Sequence, residues 1–254
     1  MNARLAPPAR GMHWLAEGWR MFRAAPLGWL LLVFAYLMGT MLLSVLPLIG
    51  PAVVSLLVPA ISVGFMAAAR ASSRRQAVEL PMLFAGFRER LPSQLVLGCV
   101  YGAGFAAALA GSALVDGGAM LALLFTPAGT PPGETPGNPL AGMLAAVLIY
   151  LPTMMMLWFA PVLVAWHALA PAKALFYSAV AFWLNRRTFI VYALTLAASL
   201  FVIVGTATLI SAAMEAPAAS ARSLVFPMAL LVLPTLFASY YASYRDVFGA
   251  AEGP

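Results

Sequence analysis

Two histidines, one cysteine and eight carboxylates are what 254 residues offer to acid–base, nucleophilic or metal chemistry. His167 lies in AWHALAP, where an imidazole could relay a proton or ligate a metal. Its only fellow, His13, is remote in sequence, and no HxxE, HExxH or CxxC spacing occurs. An anchoring role beside Trp166 is therefore the simpler expectation, and no metal or cofactor is expected. ASYYASYRDVF (238–248) is the most polar stretch next to an apolar run. At helical spacing Ser239, Ser243 and Asp246 share one face, and Tyr240 and Tyr244 form a second stripe four residues apart. This stretch could line a pathway or partner groove, or it could be the aromatic belt of a membrane boundary. Glu79 and Glu89 sit in one connection, while Asp116, Glu134 and Glu215 sit in others, so no carboxylate pair is ready for general acid–base work. GxSxG, Walker A and GxGxxG patterns are absent, and Cys99 has no partner for a disulfide. A non-enzymatic protein is expected.

The elements that must position these residues are apolar helices. Charged residues make up 9% of the chain against about 25% in soluble domains. None falls within 27–46, 48–69, 93–115, 140–166, 188–213 or 224–244. About 20 residues cross a hydrocarbon core of about 30 Å, so six transmembrane helices in one domain, 1–254, are predicted. The first run holds eleven Leu, Val and Phe residues, which favour insertion by roughly 3 to 6 kcal/mol. It reads as a retained helix rather than a signal peptide, since SVLPLIG offers no small-x-small cleavage site.

Orientation follows from the basic residues. Arg4, Arg10, Arg20 and Arg23 precede the first run, and Arg70, Arg74, Arg75, Arg88 and Arg90 lie between the second and third. Lys173, Arg186 and Arg187 lie between the fourth and fifth, and Arg245 follows the sixth. The opposite connections hold only Arg222. Both termini are thus expected in the cytoplasm. The formal charge of +6 reflects this topology and attraction to anionic lipid head groups, not nucleic acid.

Proline writes an internal repeat. The even-numbered spans carry Pro51 and Pro59, Pro152 and Pro161, and Pro227 and Pro234, whereas the odd-numbered ones carry none. Pro59, Pro161 and Pro234 are candidate kink or cavity positions. Each odd span follows an aromatic and basic segment: WLAEGWRMFRAAP, LFAGFRERLP or AFWLNRRT. Leu15, Trp19 and Phe22 share a face in the first, with His13, Glu17 and Arg20 on another; Leu80, Phe84, Phe87 and Leu91 share a face in the second. These read as amphipathic helices in the head-group layer, giving an all-α fold of three hairpin repeats, each with its interfacial helix. Residues 116–139 are read as an external loop rich in Pro and Gly, with 119–125 as a re-entrant turn or an extension of the third span. Gly98, Gly102, Ala106 and Ala110 form a small-residue ladder that would allow close helix approach on the third span.

EGWRMFRAAPLGWLLLVFAYL, FAPVLVAWHALAPAKALFYS and LFASYYASYRDVFG resemble the recurrent blocks of an uncharacterised family of proteobacterial integral membrane proteins. More distantly, the chain is similar to the membrane domain accompanying some glycerophosphodiester phosphodiesterases. The resemblance implies six spans in a bacterial inner membrane and supplies no activity. Two functions remain open: binding a lipid or a membrane protein partner, or passing a neutral or apolar solute through a cavity bounded by the kinked spans.

Overall fold

Proline stands in the first turn of five α-helices, where its missing N–H costs nothing, and Asn138 caps one of these five by accepting the Leu140 N–H at 3.0 Å. In the computed structural model, residues 3–46, 49–125, 137–213 and 218–249 are described, side chains of 124–125 and 218–229 excepted. The order is α1 (Arg10–Ala24), α2 (Pro26–Ser44), α3 (Ile49–Ser73), a 3-10 turn (Leu80–Phe84) running into α4 (Ala85–Arg88), α5 (Leu91–Asp116), α6 (Ala119–Phe125), α7 (Pro139–Leu157), α8 (Ala160–His167), α9 (Pro171–Leu184), α10 (Arg186–Ala213) and α11 (Ala218–Phe248). There is no strand among the described residues.

Five segments are long and apolar enough to cross a membrane: α2, α3, α5, the α7–α8 pair and α10. The predicted sixth run, 224–244, falls inside the 31-residue α11. The stretch 119–125 forms a short helix of its own, α6, whose first turn is held by Asp116. That carboxylate accepts the N–H groups of Gly118 at 2.9 Å and Met120 at 2.7 Å. The Pro-rich part of the predicted loop, 126–136, and the acidic Glu134 and Glu215 lie outside the described residues.

Glycine governs the closest helix contacts. A side chain at Gly104 of α5 would overlap Thr153 of α7, and one at Gly111 would overlap Ile149. On α1, Gly11 faces the backbone at Thr188 and Tyr192 of α10, and Gly18 faces Thr235 and Ser239 of α11. The buried side of α1 is therefore Gly11, Trp14, Gly18, Met21 and Phe22, not the expected Leu15–Trp19–Phe22 stripe. Two glycines let backbone meet backbone, so α1 docks onto protein and turns Trp19, 43% exposed, to the edge. The second expected interfacial helix is instead a 3-10 turn and a single helical turn seated on α3, with Gly64 against Leu83 and Gly86 against Ala60. The third, α9, rests its buried Ala174, Ser178 and Ala181 against α7 and α8.

Candidate functional site

Glu17 is the pivot of the charged end of the bundle. On α1 it lies one turn before Arg20, and Arg10 stands two turns earlier on the same helix. Asp246, in the last turn of α11, receives Arg10 Nε at 2.6 Å, Arg10 Nη2 at 2.9 Å and the indole N–H of the fully buried Trp14 at 2.8 Å. Arg10 also donates to Glu17 at 2.9 Å, and Arg245 closes the ring onto the other Glu17 oxygen. Arg245 and Asp246 thus belong to a tertiary network rather than to an ordinary surface pair. Burial works against ionisation of Asp246, but hydrogen bonds from Arg10 and Trp14, with the charges of Arg10 and Arg245, outweigh it and hold the carboxyl below its usual range. The hydrogen bond to Asp246 in turn raises the Arg10 guanidinium above its ordinary value.

Ahead of α1, the chain crosses this end as a strap. Arg4 N–H donates to Val247 C=O at 2.8 Å, Ala6 N–H to Asn185 Oδ1 at 2.8 Å, and Thr188 Oγ1 to Ala6 C=O at 2.8 Å. Asn185, 2% exposed at the α9–α10 joint, returns a bond to Arg4 C=O at 3.1 Å. Beside α1, Glu17, Arg20, Met21, Ala24, Ser72, Ser73, Arg75 and Arg245 line an open depression of about 490 Å³. Both hydroxyls are committed to backbone, Ser72 to Met21 C=O and Ser73 to Arg70 C=O, each at 2.7 Å. The depression therefore presents three guanidiniums to one carboxylate.

Three of the candidate residues converge around α8. His167 Nε2 lies 2.6 Å from the hydroxyl of Tyr244, whose ring meets Trp166 edge-on. Tyr240 packs edge-on against Trp158, which donates to Ser243 at 3.3 Å, and Tyr192 shares a 2.8 Å bond with Ser239. Arg70 lies over the Trp166 ring at 5.2 Å. These contacts knit α8, α10 and α11 together.

Of the candidate prolines, Pro59 and Pro234 sit buried within unbroken helices, whereas Pro161 opens α8 just after α7 stops. The Phe159 N–H no longer meets Met155 C=O; the buried Ser178 hydroxyl of α9 enters between them. It accepts the N–H at 2.9 Å and donates to the C=O at 2.9 Å. Nothing in a 3.6-residue pattern marks Ser178 for this role. Across the break, Gln94 donates to Pro161 C=O at 2.9 Å. Around these prolines Ala60, Val63, Phe65, Leu97 and Leu163 are fully buried, and Phe65 stacks on Phe237 at 3.7 Å. In the small-residue ladder, Gly98 meets the Leu56 backbone, and a side chain at Gly102 would come within 3.0 Å of Ser55 Oγ, both on α3. Ala106 and Ala110 are exposed, and it is Gly104 and Gly111 that face α7.

A second depression, about 340 Å³, opens sideways between α1, α10 and α11, lined by Leu15, Trp19, Leu196, Ser199, Ile203, Leu231, Val232, Thr235 and Leu236. Its hydroxyls are turned back on their own helices, Ser199 to Thr195 C=O at 2.8 Å and Thr235 to Leu231 C=O at 3.4 Å.

Long apolar helices with such large outward hydrophobic surfaces define a multi-helix integral membrane protein. The chain is 42% identical over 253 residues to a "Probable inner membrane protein" of Burkholderia thailandensis (strain E264), a match spanning 95% of this chain and 92% of the other. It belongs to that family. No family model and no solved structure matches it, and the distant likeness to the phosphodiesterase-associated domain gains no support.

Proposed function

We propose that this is a non-enzymatic, six-span inner-membrane protein, with both termini cytoplasmic, that binds anionic lipid head groups at its arginine-bearing end. Three repeats account for the packing: the turn before the second hairpin rests on α3, α9 rests on α7 and α8, and α1 rests on α11. Each unit's leading segment thus caps the closing span of another, and the last unit returns to the first. The uncharged run within α11 supplies the sixth span. The depression lined by Arg20, Arg75 and Arg245 carries the head-group reading, since an excess of guanidinium at the membrane surface suits phosphodiester oxygens. A solute pathway gains no comparable support, because neither depression is lined by Pro59, Pro161 or Pro234.

The test is thermal unfolding of the purified protein in detergent, with phosphatidylglycerol or phosphatidylcholine added. Phosphatidylglycerol should raise the midpoint more, and salt should erode the difference. The double variant Arg20→Gln/Arg75→Gln should lose most of that preference. Equal response to both lipids refutes the reading.

A further inference from the structure

We infer that the lateral cleft between α1, α10 and α11 seats one acyl chain of a phospholipid whose phosphate lies against the exposed turn of α1 that carries Trp19 and Arg23. The inference rests on the head-group reading for its choice of anionic lipid, but its geometry is independent of the Arg20–Arg75–Arg245 depression.

The cleft has a direction. Gly11 of α1 crosses α10 at Thr188 and Tyr192, close to the start of that helix, so α1 lies near the arginine-bearing end. Leu196, Ser199 and Ile203 then continue along α10 on one face, seven residues or about 10 Å of helix from first to last. On α11 the opposing wall runs back from Leu236 and Thr235 to Val232 and Leu231. Leu15 and Trp19 roof the cleft where it meets α1. It is therefore a slot that starts at head-group depth and descends toward the bilayer centre, the course an acyl chain follows.

Its chemistry is equally selective. Seven of the nine lining side chains are apolar, and the hydroxyls of Ser199 and Thr235 donate to their own helices. A polar solute would find few partners for its hydrogen bonds there. A transmembrane partner helix, a cylinder about 10 Å across, fills roughly 800 Å³ over the roughly 10 Å that the slot runs, more than the slot's 340 Å³. A single hydrocarbon chain does not exceed it. At the mouth, Trp19 is at the depth its amphipathic ring prefers. Arg23 follows Trp19 by four residues, hence on the same face of α1, and it is exposed with no ion-pair partner among the described residues. It can reach a phosphate above the slot as a long, snorkelling cation does.

The experiment is native mass spectrometry of the detergent-purified full chain after equilibration with phosphatidylglycerol or phosphatidylcholine. The wild type should retain one phosphatidylglycerol. Ser199→Phe, which places a ring in the slot, should weaken retention at least ten-fold, and Leu231→Trp should do the same from the facing wall. Arg23→Gln should keep the bound lipid but lose the preference for phosphatidylglycerol. Phe201→Trp, at an outward position 80% exposed, is the control and should behave as wild type. If both slot variants, shown folded by monodisperse elution, retain lipid as the wild type does, the inference is overturned. If they lose it while Arg20→Gln/Arg75→Gln leaves the phosphatidylglycerol stabilisation intact, the slot stands and the head-group depression falls.

Discussion

Replacing Asp246 by Ala is expected to loosen the seat of α1 on α11 by an amount that can be worked from its three bonds. The indole N–H of Trp14 is fully buried and loses its acceptor, which costs about 1 to 3 kcal/mol. Arg10 loses both of its bonds to the carboxylate, but its side chain is 32% exposed and water can replace much of that interaction, so this part is worth at most about 1 kcal/mol. The sum is about 1 to 4 kcal/mol, a sizeable share of a typical margin of about 5 to 15 kcal/mol. Equilibrium unfolding in mild detergent, followed by tryptophan fluorescence, measures it. A double-mutant cycle with Trp14→Phe separates the two parts: that change keeps most of the packing, removes the donor, and should leave Asp246→Ala costing only about 1 kcal/mol. If Asp246→Ala lies within about 0.5 kcal/mol of wild type and shows no coupling to Trp14, the network does not hold α1 in place.

Acid should act through the same carboxylate. Because its folded value is held below the ordinary 3.8, the unfolded chain takes up the proton first; the contribution is complete above about pH 4 and fades as pH falls further, which Asp246→Asn should abolish in a pH series of unfolding midpoints. Ser178→Ala should destabilise by about 2 to 4 kcal/mol, since it strands the Phe159 N–H and the Met155 C=O together; in a Pro161→Ala background, where the helix can close on itself, the same change should cost less than half as much. Gly18→Ala should cost at least about 2 kcal/mol, because its methyl meets Thr235 and Ser239 backbone, whereas Gly39→Ala, with open space around it, should be neutral or stabilising by up to about 1 kcal/mol. In a Cys99→Ser background, an impermeant thiol probe should label Thr130→Cys on intact cells and Arg88→Cys only after lysis; the reverse pattern overturns the orientation.

That the fold is built of long apolar helices, five of them long and apolar enough to span, was legible because a bilayer demands long uncharged runs, and the observed α3, α5 and α10 start or stop within a few residues of the charges that flank them. The polar stripe of 238–248 was legible as a stripe, and its partners were not. Arg10 and Asp246 are 236 residues apart, and no local period connects them. Amphipathic reasoning placed α1 on the membrane surface because Leu15, Trp19 and Phe22 make an apolar line. It missed that glycine at 11 and 18 draws backbone closer than any apolar stripe could. Proline likewise marked where the fourth span would yield, but the hydroxyl that repairs the gap comes from α9, and its contribution is set by tertiary position alone.

The strap and α1 have a consequence for how the molecule is made. Residues 3–24 emerge from the ribosome before any of their seats exist: Asn185 and Thr188 come some 180 residues later, and Asp246 and Val247 come last. Until translation reaches the final turn of α11, Trp14 has no acceptor and the first hairpin stands open on one side. Completion of the C-terminal helix is therefore the event that latches the whole domain. Premature stops within it should yield chains that insert normally yet present an unmated α1 to the cell's proteases.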